Sequence, residues 1–379
     1  MSRYKKLTLL HSNDLHGDFS AETLNETLVG GVSMLSGYID KVRKEEKNTL
    51  YCIAGDMFRG SIIDSEFKGM STIEIMNAIA PDVVTLGNHE TDYGIAHLLF
   101  LEKCARFPII NANLYIKSNF ARLFTPQIVL EVDGMKILFI GVLTEEVLAQ
   151  ARQEKLIGAI VDVREAATEV GKICNAYQTE DIDLTVLLTH IGFDEDKRLA
   201  ELLDPRWGVD VIIGTHPHTL QPIVFDDMAG TLVAYSLGDF FGEADRGATN
   251  YSIILDIEIT KDDNAGITRV TDYSYTPIYT VREGDVVGNK DRRVVRIEKA
   301  LEAYQDNFLD KITEATAEGM KKAMTRIPER MATAVEVTCP GCDKAVEVYV
   351  NGKSQTLVAD TTCKCGQTLS KGSKASSYK

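Results

Sequence analysis

Short apolar runs punctuate the first two thirds of the chain: Leu7–Leu10, Leu50–Ala54, Val83–Leu86, Ile109–Ile110, Ile137–Val142, Leu184–Leu188, Val209–Ile213, Leu232–Tyr235 and Ile253–Ile259. Several are nearly continuous in Val, Ile and Leu, the pattern of strands covered on both faces. Helical spacing falls between them. Met34, Leu35, Tyr38, Ile39 and Val42 share one face, as do Ile73, Met76, Asn77 and Ala80 ahead of Pro81. Asp162 to Tyr177 also has helical spacing. Strand alternating with helix predicts an α/β fold.

Near residue 285 the period changes. Val294, Ile297, Leu301, Tyr304, Phe308, Ile312 and Ala315 recur at steps of three and four. This predicts one long amphipathic helix from Asp291 to Met324, stopped near Pro328, either docked on the main body or joining two copies of the chain. A cysteine-bearing module spans 336–367, and the Ser/Lys-rich segment 368–379 reads as a disordered tail. The expected organisation is therefore a main domain over 1–284, a helical segment over 285–335, the cysteine module and the tail.

Composition narrows the chemistry. The 379 residues are 44% hydrophobic and 26% charged, ordinary globular usage, with a formal net charge of −15. Such a charge repels phosphate backbones and anionic membranes, which argues against nucleic acid and membrane partners. The apolar run near the start, Leu7–Leu10, is too short for a secretory core, so a cytoplasmic location is expected. Of the seven cysteines, Cys52, Cys104 and Cys174 are scattered, whereas Cys339, Cys342, Cys363 and Cys365 cluster, which reads as a reducing compartment with one metal site.

His16, His89, His190, His216 and His218 each follow an apolar run beside Asp, Asn, Thr or Gly, and Asp56 takes the same kind of place after Leu50–Ala54. Ligands bind at the carboxyl ends of strands in open α/β sheets. Asp14, His16, Asp56, Asn88, His190, His216 and His218 mix carboxylate, amide and imidazole donors, a set suited to Mn, Fe or Zn. Seven donors exceed one tetrahedral ion, so two divalent ions sharing a carboxylate are expected. His11 reads as structural, His97 as packed on a helix, and Glu90 as support for its loop or for the metal ligands from behind. Arg59 reads as either a contact for a substrate phosphate or a surface residue.

Ser12-Asn13-Asp14-Leu15-His16-Gly17, Gly55-Asp56 with Gly60-Ser61, Gly87-Asn88-His89-Glu90, His190, and His216-Pro217-His218 stand in an order that resembles the calcineurin-like metallophosphoesterases. The branch they resemble is that of the 5′-nucleotidases and 2′,3′-cyclic phosphodiesterases, over residues 7–260. The resemblance implies a four-layer α/β/β/α sandwich. It implies a first metal on Asp14, His16, Asp56 and His218, and a second on Asp56, Asn88, His190 and His216, with Asp56 as bridge. His89, partnered by Asp92, would act on the phosphate or leaving group, and Asn88 would also touch substrate. The implied reaction is in-line attack of a metal-bridging hydroxide on a nucleotide or similar small phosphate ester. A cyclic-nucleotide phosphodiesterase, a nucleotide-binding sensor without turnover and a nuclease are the alternatives, the last opposed by the net charge. Residues 285–379 are too few for the family's base-stacking domain, so the resemblance leaves the substrate open. The stretch Ser236 to Phe241 reads equally as a wall of the pocket or as a strand-end turn with packing aromatics.

Cys339-Pro340-Gly341-Cys342 and Cys363-Lys364-Cys365-Gly366 flank two apolar runs, Ala345–Val350 and Thr356–Val358, joined at Asn351-Gly352. A type I′ hairpin between two cysteine knuckles resembles a zinc ribbon holding one structural Zn, with a redox pair or chance clustering as the alternatives. Its expected role is contact with a partner or with a second copy of the chain.

Overall fold

The computed structural model describes all residues other than 1–4, 18, 20–21, 25–26, 30, 61, 145–160, 227–229, 239–249, 263–266, 282–284, 286–292, 306–311 and 379. The chain divides into two units: one of residues 1–218, 227–231 and 255–274, the other of residues 219–226, 232–254 and 275–379. This division differs from the expected boundary at 284, because segments between 219 and 284 cluster with the C-terminal part.

The first unit is built on two sheets. In one, β1 (Thr8–Ser12), β2 (Thr49–Ala54), β3 (Val83–Thr85) and β4 (Ile109–Ile110) lie side by side in chain order, all parallel. Helices α1 (Gly31–Glu45), α2 (Met70–Ile79) and α3 (Ile95–Cys104) connect the strands. Ile39, Ile73, Met76, Ile79, Leu98 and Leu101 from these helices share one core cluster with Tyr51, Ile53, Val84 and Ile109 of the strands. Helix α2 ends where Ala80 turns left-handed (φ 55°) and donates its N–H to the Met76 carbonyl; Pro81 cannot extend it.

In the second sheet β5 (Gln127–Val132) runs antiparallel to β6 (Met135–Leu143), and β6, β7 (Leu184–His190) and β8 (Val211–Gly214) follow in parallel. Helix α4 (Ala166–Tyr177) packs on β6 and α5 (Phe193–Leu202) packs on α4. The two sheets face each other closely at Gly141. A Cβ there would lie 2.4 Å from the Thr85 hydroxyl and 2.7 Å from the Ile110 carbonyl oxygen. Helix, sheet, sheet and helix thus form the four layers that the resemblance implied. The apolar runs match strands throughout, with Leu7–Leu10 shifted one or two residues into β1.

The second unit corrects the single long helix. Arg293–Arg296 is a strand paired antiparallel with Ile278–Val281. Helix α6 (Ile297–Gln305) follows it, and α7 (Glu314–Arg330) starts afresh. Residues 306–311 lie outside the described residues. Thr313 breaks the run: its backbone is extended (φ −70°, ψ 154°) and its side chain accepts the Thr316 N–H, which makes it an N-cap. The β-branched Val294 and Val295 suit the strand. Pro328 does not stop α7, because the lost bond falls in the last turn, where little helix remains to disrupt. An uninterrupted dimerising helix over 291–324 is therefore not formed. Ile297, Ala300, Ala317, Met320, Ala323 and Ile327 are buried within the chain itself.

The cysteine module differs in its hairpin. Ala345–Val350 (β10) pairs antiparallel with Thr333–Thr338 (β9), upstream of the first knuckle, while Val350 meets Leu357 in an isolated bridge. The loop between them is wider than a type I′ turn. Asn351 Oδ1 accepts the N–H groups of Lys353 and Ser354, and the Gln355 N–H donates to the Asn351 carbonyl. The asparagine acts through its side chain instead of through a left-handed backbone. Nor is the segment after 367 a disordered tail. Thr368–Leu369 is a strand, Ala375–Tyr378 a 3₁₀ turn, and Ala375 and Tyr378 pack on the core formed by Val337, Val348, Val350 and Leu369. The Ser and Lys side chains face water, while the backbone bonds inward, Ala375 N–H to the Gln355 carbonyl and Leu357 N–H to that of Ser373.

Two stability predictions follow from the first unit. Gly141→Ala should cost about 1–3 kcal/mol by overpacking the sheet interface, read from urea or thermal melts. His11 Nε2 is buried and has no hydrogen-bond partner among the described residues, and desolvation lowers the imidazole's pKa from 6.5 to about 4. The unfolded chain therefore takes up this proton first. Stability present above pH 6.5 should fall as the pH drops towards 4, by up to about 3 kcal/mol. The same melts on His11→Phe should show a shallower loss over that window.

Candidate active site

The sheets deliver their ligand-type side chains at the carboxyl ends of five strands. Asp14 and His16 follow β1, Asp56 follows β2, Asn88 and His89 follow β3, His190 closes β7, and His216 and His218 follow β8. All belong to the first unit. Asp14, His16, Asp56, His216 and His218 have positive φ values of 52°, 49°, 54°, 96° and 56°. Such backbone is costly for non-glycine residues and is tolerated best by Asp, Asn and His. Two glycines make room. A Cβ on Gly55 would lie 2.8 Å from His190 Nδ1, and one on Gly87 would lie 2.2 Å from Asp56 Oδ1.

Two ligand groups result, each with donor atoms within 4.8 Å of one another: Asp14 with His16 and His218, and Asp56 with His190 and His216. Asp56 also groups with His16 and His89, which places its carboxylate between the two sets. In the first, His218 Nε2 is 3.3 Å and His16 Nε2 3.8 Å from Asp14 Oδ1, a buried oxygen without a hydrogen-bond partner among the described residues. His16 turns its Nδ1 to the Arg59 carbonyl at 3.1 Å, leaving Nε2 for the site. In the second, His190 Nδ1 meets the Ala54 carbonyl at 2.9 Å. Its Nε2 lies 3.1 Å from Asn88 Oδ1, 3.2 Å from Asp56 Oδ2 and 3.3 Å from His216 Nδ1.

These contacts fit a cation. Four electron-rich atoms crowd together inside a buried crevice, and only positive charge between them makes that favourable. Burial opposes a charge on His190, yet Asp56 and Asp14 overcome it and raise its pKa to about 10. The Asp56 carboxyl is held below the usual range in spite of burial, chiefly by His190. A proton here meets the same electrostatic demand that a divalent ion would.

Beside the ligands stands a dyad. His89 Nδ1 is 2.7 Å from Asp92 Oδ2, and this hydrogen bond raises the imidazole's pKa. The same oxygen accepts Arg59 Nη1 at 2.6 Å. Burial opposes the charge on Asp92, but His89 and Arg59 hold its carboxyl low. The arginine thus reaches the dyad itself. His97 is distant from this chemistry in role, its Nε2 bound to the Lys68 carbonyl at 2.7 Å. Of the stretch Ser236 to Phe241, Asp239, Phe240 and Phe241 lie outside the described residues.

Sequence reasoning underweighted two residues. Thr215, just before His216, is buried, and its hydroxyl sits 2.9 Å from the Ala54 carbonyl and 2.9 Å from His190 Nδ1. Glu90 is 1% exposed and accepts backbone N–H groups from Asp56 and Met57. Burial and then Asp56 push its carboxyl up to about 7. Only the adjacency of Glu90 to His89 hinted at it.

In the second unit the four clustered cysteines also converge. Sγ–Sγ separations are 3.6 Å for Cys339 and Cys365 and 3.7 Å for Cys342 and Cys363. All four sulfurs lie within 4.8 Å of one another and none forms a disulfide. A tetrahedron of sulfurs 2.3 Å from a zinc ion has edges of roughly 3.8 Å.

Comparison with known proteins places this arrangement. Over 226 residues, 56% of the chain, it is 33% identical to mouse 5′-nucleotidase, and over 225 residues 33% identical to the snake venom 5′-nucleotidase of Gloydius brevicauda. Over that stretch the chain is similar to 5′-nucleotidases. It spans only 38% of the mouse protein's length and 37% of the venom protein's. A family model described as bacterial capsule synthesis protein PGA_cap matches residues 69–244. Solved structures agree in fold. The 5′-nucleotidase precursor of Thermus thermophilus superposes with a TM-score of 0.57 at 23% identity, over 85% of this chain and 58% of that one. A calcineurin-like phosphoesterase of Bacillus subtilis gives 0.56 at 22%, over 83% and 98%. A sulfate thiohydrolase of Thermus thermophilus gives 0.57 at 16%, over 87% and 61%. The metallophosphoesterase fold is thereby shared with hydrolases of different names.

Proposed function

We propose that the protein is a dinuclear metal phosphoesterase that hydrolyses a nucleotide or a similarly small phosphate ester. The observation that carries this reading is Asp56, whose carboxylate lies between two ligand groups while the His89–Asp92 pair stands beside it. Asp14, His16, Asp56 and His218 would hold one divalent ion, and Asp56, Asn88, His190 and His216 the other, as Mn, Zn or Fe. Two such ions lower the pKa of bound water and clamp the oxygens of a phosphoryl group.

The chain's own residues do the rest. The Arg59 and Ala54 carbonyls turn the Nε2 atoms of His16 and His190 inward. Asn88 has one carbonyl for a metal and an amide N–H for a phosphate oxygen. Asp92 orients His89 and stabilises its protonated form, so that His89 Nε2 can give a proton to the departing oxygen. The 5′-nucleotidase relatives support a nucleotide as substrate.

The decisive assay measures phosphate release from a panel of nucleoside monophosphates, cyclic nucleotides and a chromogenic phosphodiester in the presence of Mn²⁺. Turnover of a monoester is expected, reduced by at least about 10³-fold in Asp56→Asn, which weakens both ligand groups. Release from cyclic or diester substrates alone would identify a phosphodiesterase. Tight nucleotide binding without any turnover would leave a sensor and overturn the enzyme reading.

We also propose that Cys339, Cys342, Cys363 and Cys365 hold one structural zinc, and that the protein works in a reducing compartment such as the cytoplasm, which suits four unpaired thiols. Elemental analysis should find one zinc that survives mild chelation able to strip the phosphoesterase pair. Cys342→Ser should lose that zinc and keep the other two ions. Its melting curve should lose the transition of the cysteine module.

A further inference from the structure

Glu90 has an environment that loop support alone does not explain. Its carboxylate is 1% exposed and sits in the turn His89–Thr91. Among the described residues no basic side chain pairs with it. Instead its oxygens accept three backbone N–H groups: Asp56 at 2.9 Å, Met57 at 2.6 Å, and Gly87. Asp56 and Met57 belong to the loop after β2, Gly87 to the loop after β3. The tie is reciprocal, because Asp56 Oδ1 accepts the His89 N–H at 2.8 Å. One side chain from each loop thus caps the backbone of the other.

The consequence concerns Asp56. Its left-handed backbone (φ 54°) aims Oδ2 at His190 Nε2, 3.2 Å away, and Oδ1 at the loop of His89. Left-handed backbone at a non-glycine residue persists only where its surroundings enforce it. The N–H bond from Asp56 to Glu90 is such a constraint, and the adjoining one from Met57 fixes the next peptide.

We propose that Glu90 is a positioning residue for the metal pair: by clamping the Asp56 and Gly87 loops with one carboxylate, it sets the place of the shared Asp56 ligand. This deepens the phosphoesterase reading and rests on it. Glu90 touches neither metal nor substrate and acts only through Asp56.

The test compares Glu90→Gln with Glu169→Gln in the full chain. Glu169 is a buried carboxylate of the same unit, bound to Tyr115, Arg122 and Lys172 and unconnected to Asp56. Mn²⁺ titration by calorimetry and hydrogen exchange over residues 50–60 and 84–91 are read on both. Glu90→Gln should bind the ions roughly 10- to 100-fold more weakly. Its amides at Asp56, Met57 and Gly87 should exchange at least about tenfold faster, because Gln offers one acceptor where the carboxylate offers two. Glu169→Gln should lower the melting temperature and leave ion affinity unchanged. Unchanged affinity in Glu90→Gln, or equal weakening in both variants, overturns the proposal. If Glu90→Gln does not fold, the wild-type chain decides. Adding Mn²⁺ should raise protection in both loops in step, and a response in one loop alone refutes the clamp. Absence of Mn²⁺ binding by the wild type would instead defeat the phosphoesterase reading, and the exchange rates would still judge the clamp.

Discussion

Buried negative charge in a crevice lined by imidazoles is the constraint on which the site depends. Asp14 and Asp56 bring in side-chain carboxylates almost closed to water, and His190 sets a ring nitrogen among oxygens and another imidazole. In water these groups would separate. Here the fold prevents it, since β2 and β7 are locked together where His190 and Thr215 both reach the Ala54 carbonyl. The crevice is therefore an arrangement of fixed dipoles and anions prepared in advance for positive charge, which is how a protein makes ion binding strong without moving parts.

The fold serves this by giving up local comfort at strand ends. Left-handed backbone at five ligand positions turns each side chain sharply inward within one or two residues of its strand. The residue types that bear such backbone with least strain, Asp, Asn and His, are also good donors to divalent ions. Glycines at 55, 87 and 141 remove the Cβ atoms that would hold the loops or the sheets apart. Precision at the centre thus rests on small residues in the positions next to it.

The strands and the donor residues that end them were legible in the sequence because both signals are local. Apolar runs marked β2, β3, β7 and β8, and the donor residues stood just after them. What was less legible depends on contacts between segments far apart in the chain. Nothing near Glu90 announces that its oxygens will face Asp56 and Met57, more than thirty positions away. Arg59 shows no sign in sequence of sharing an oxygen with His89. The C-terminal part misled for a different reason. The three-four period of 294–315 is genuine, but a single capping threonine and a β-branched pair divide it. Asn351-Gly352 has the composition of a tight turn, yet the asparagine side chain closes a wider loop.

The cysteine module closes on itself in a way that reaches beyond metal binding. Tyr378 and Ala375 lie against the small core around Val348 and Leu369, and the Tyr378 hydroxyl accepts the Ser370 N–H. A core this small has few side chains to spare, so the final turn is a wall of the module and not an appendage. Cutting the chain before Ala375 would therefore open that core and free the Gln355 carbonyl that the Ala375 N–H holds.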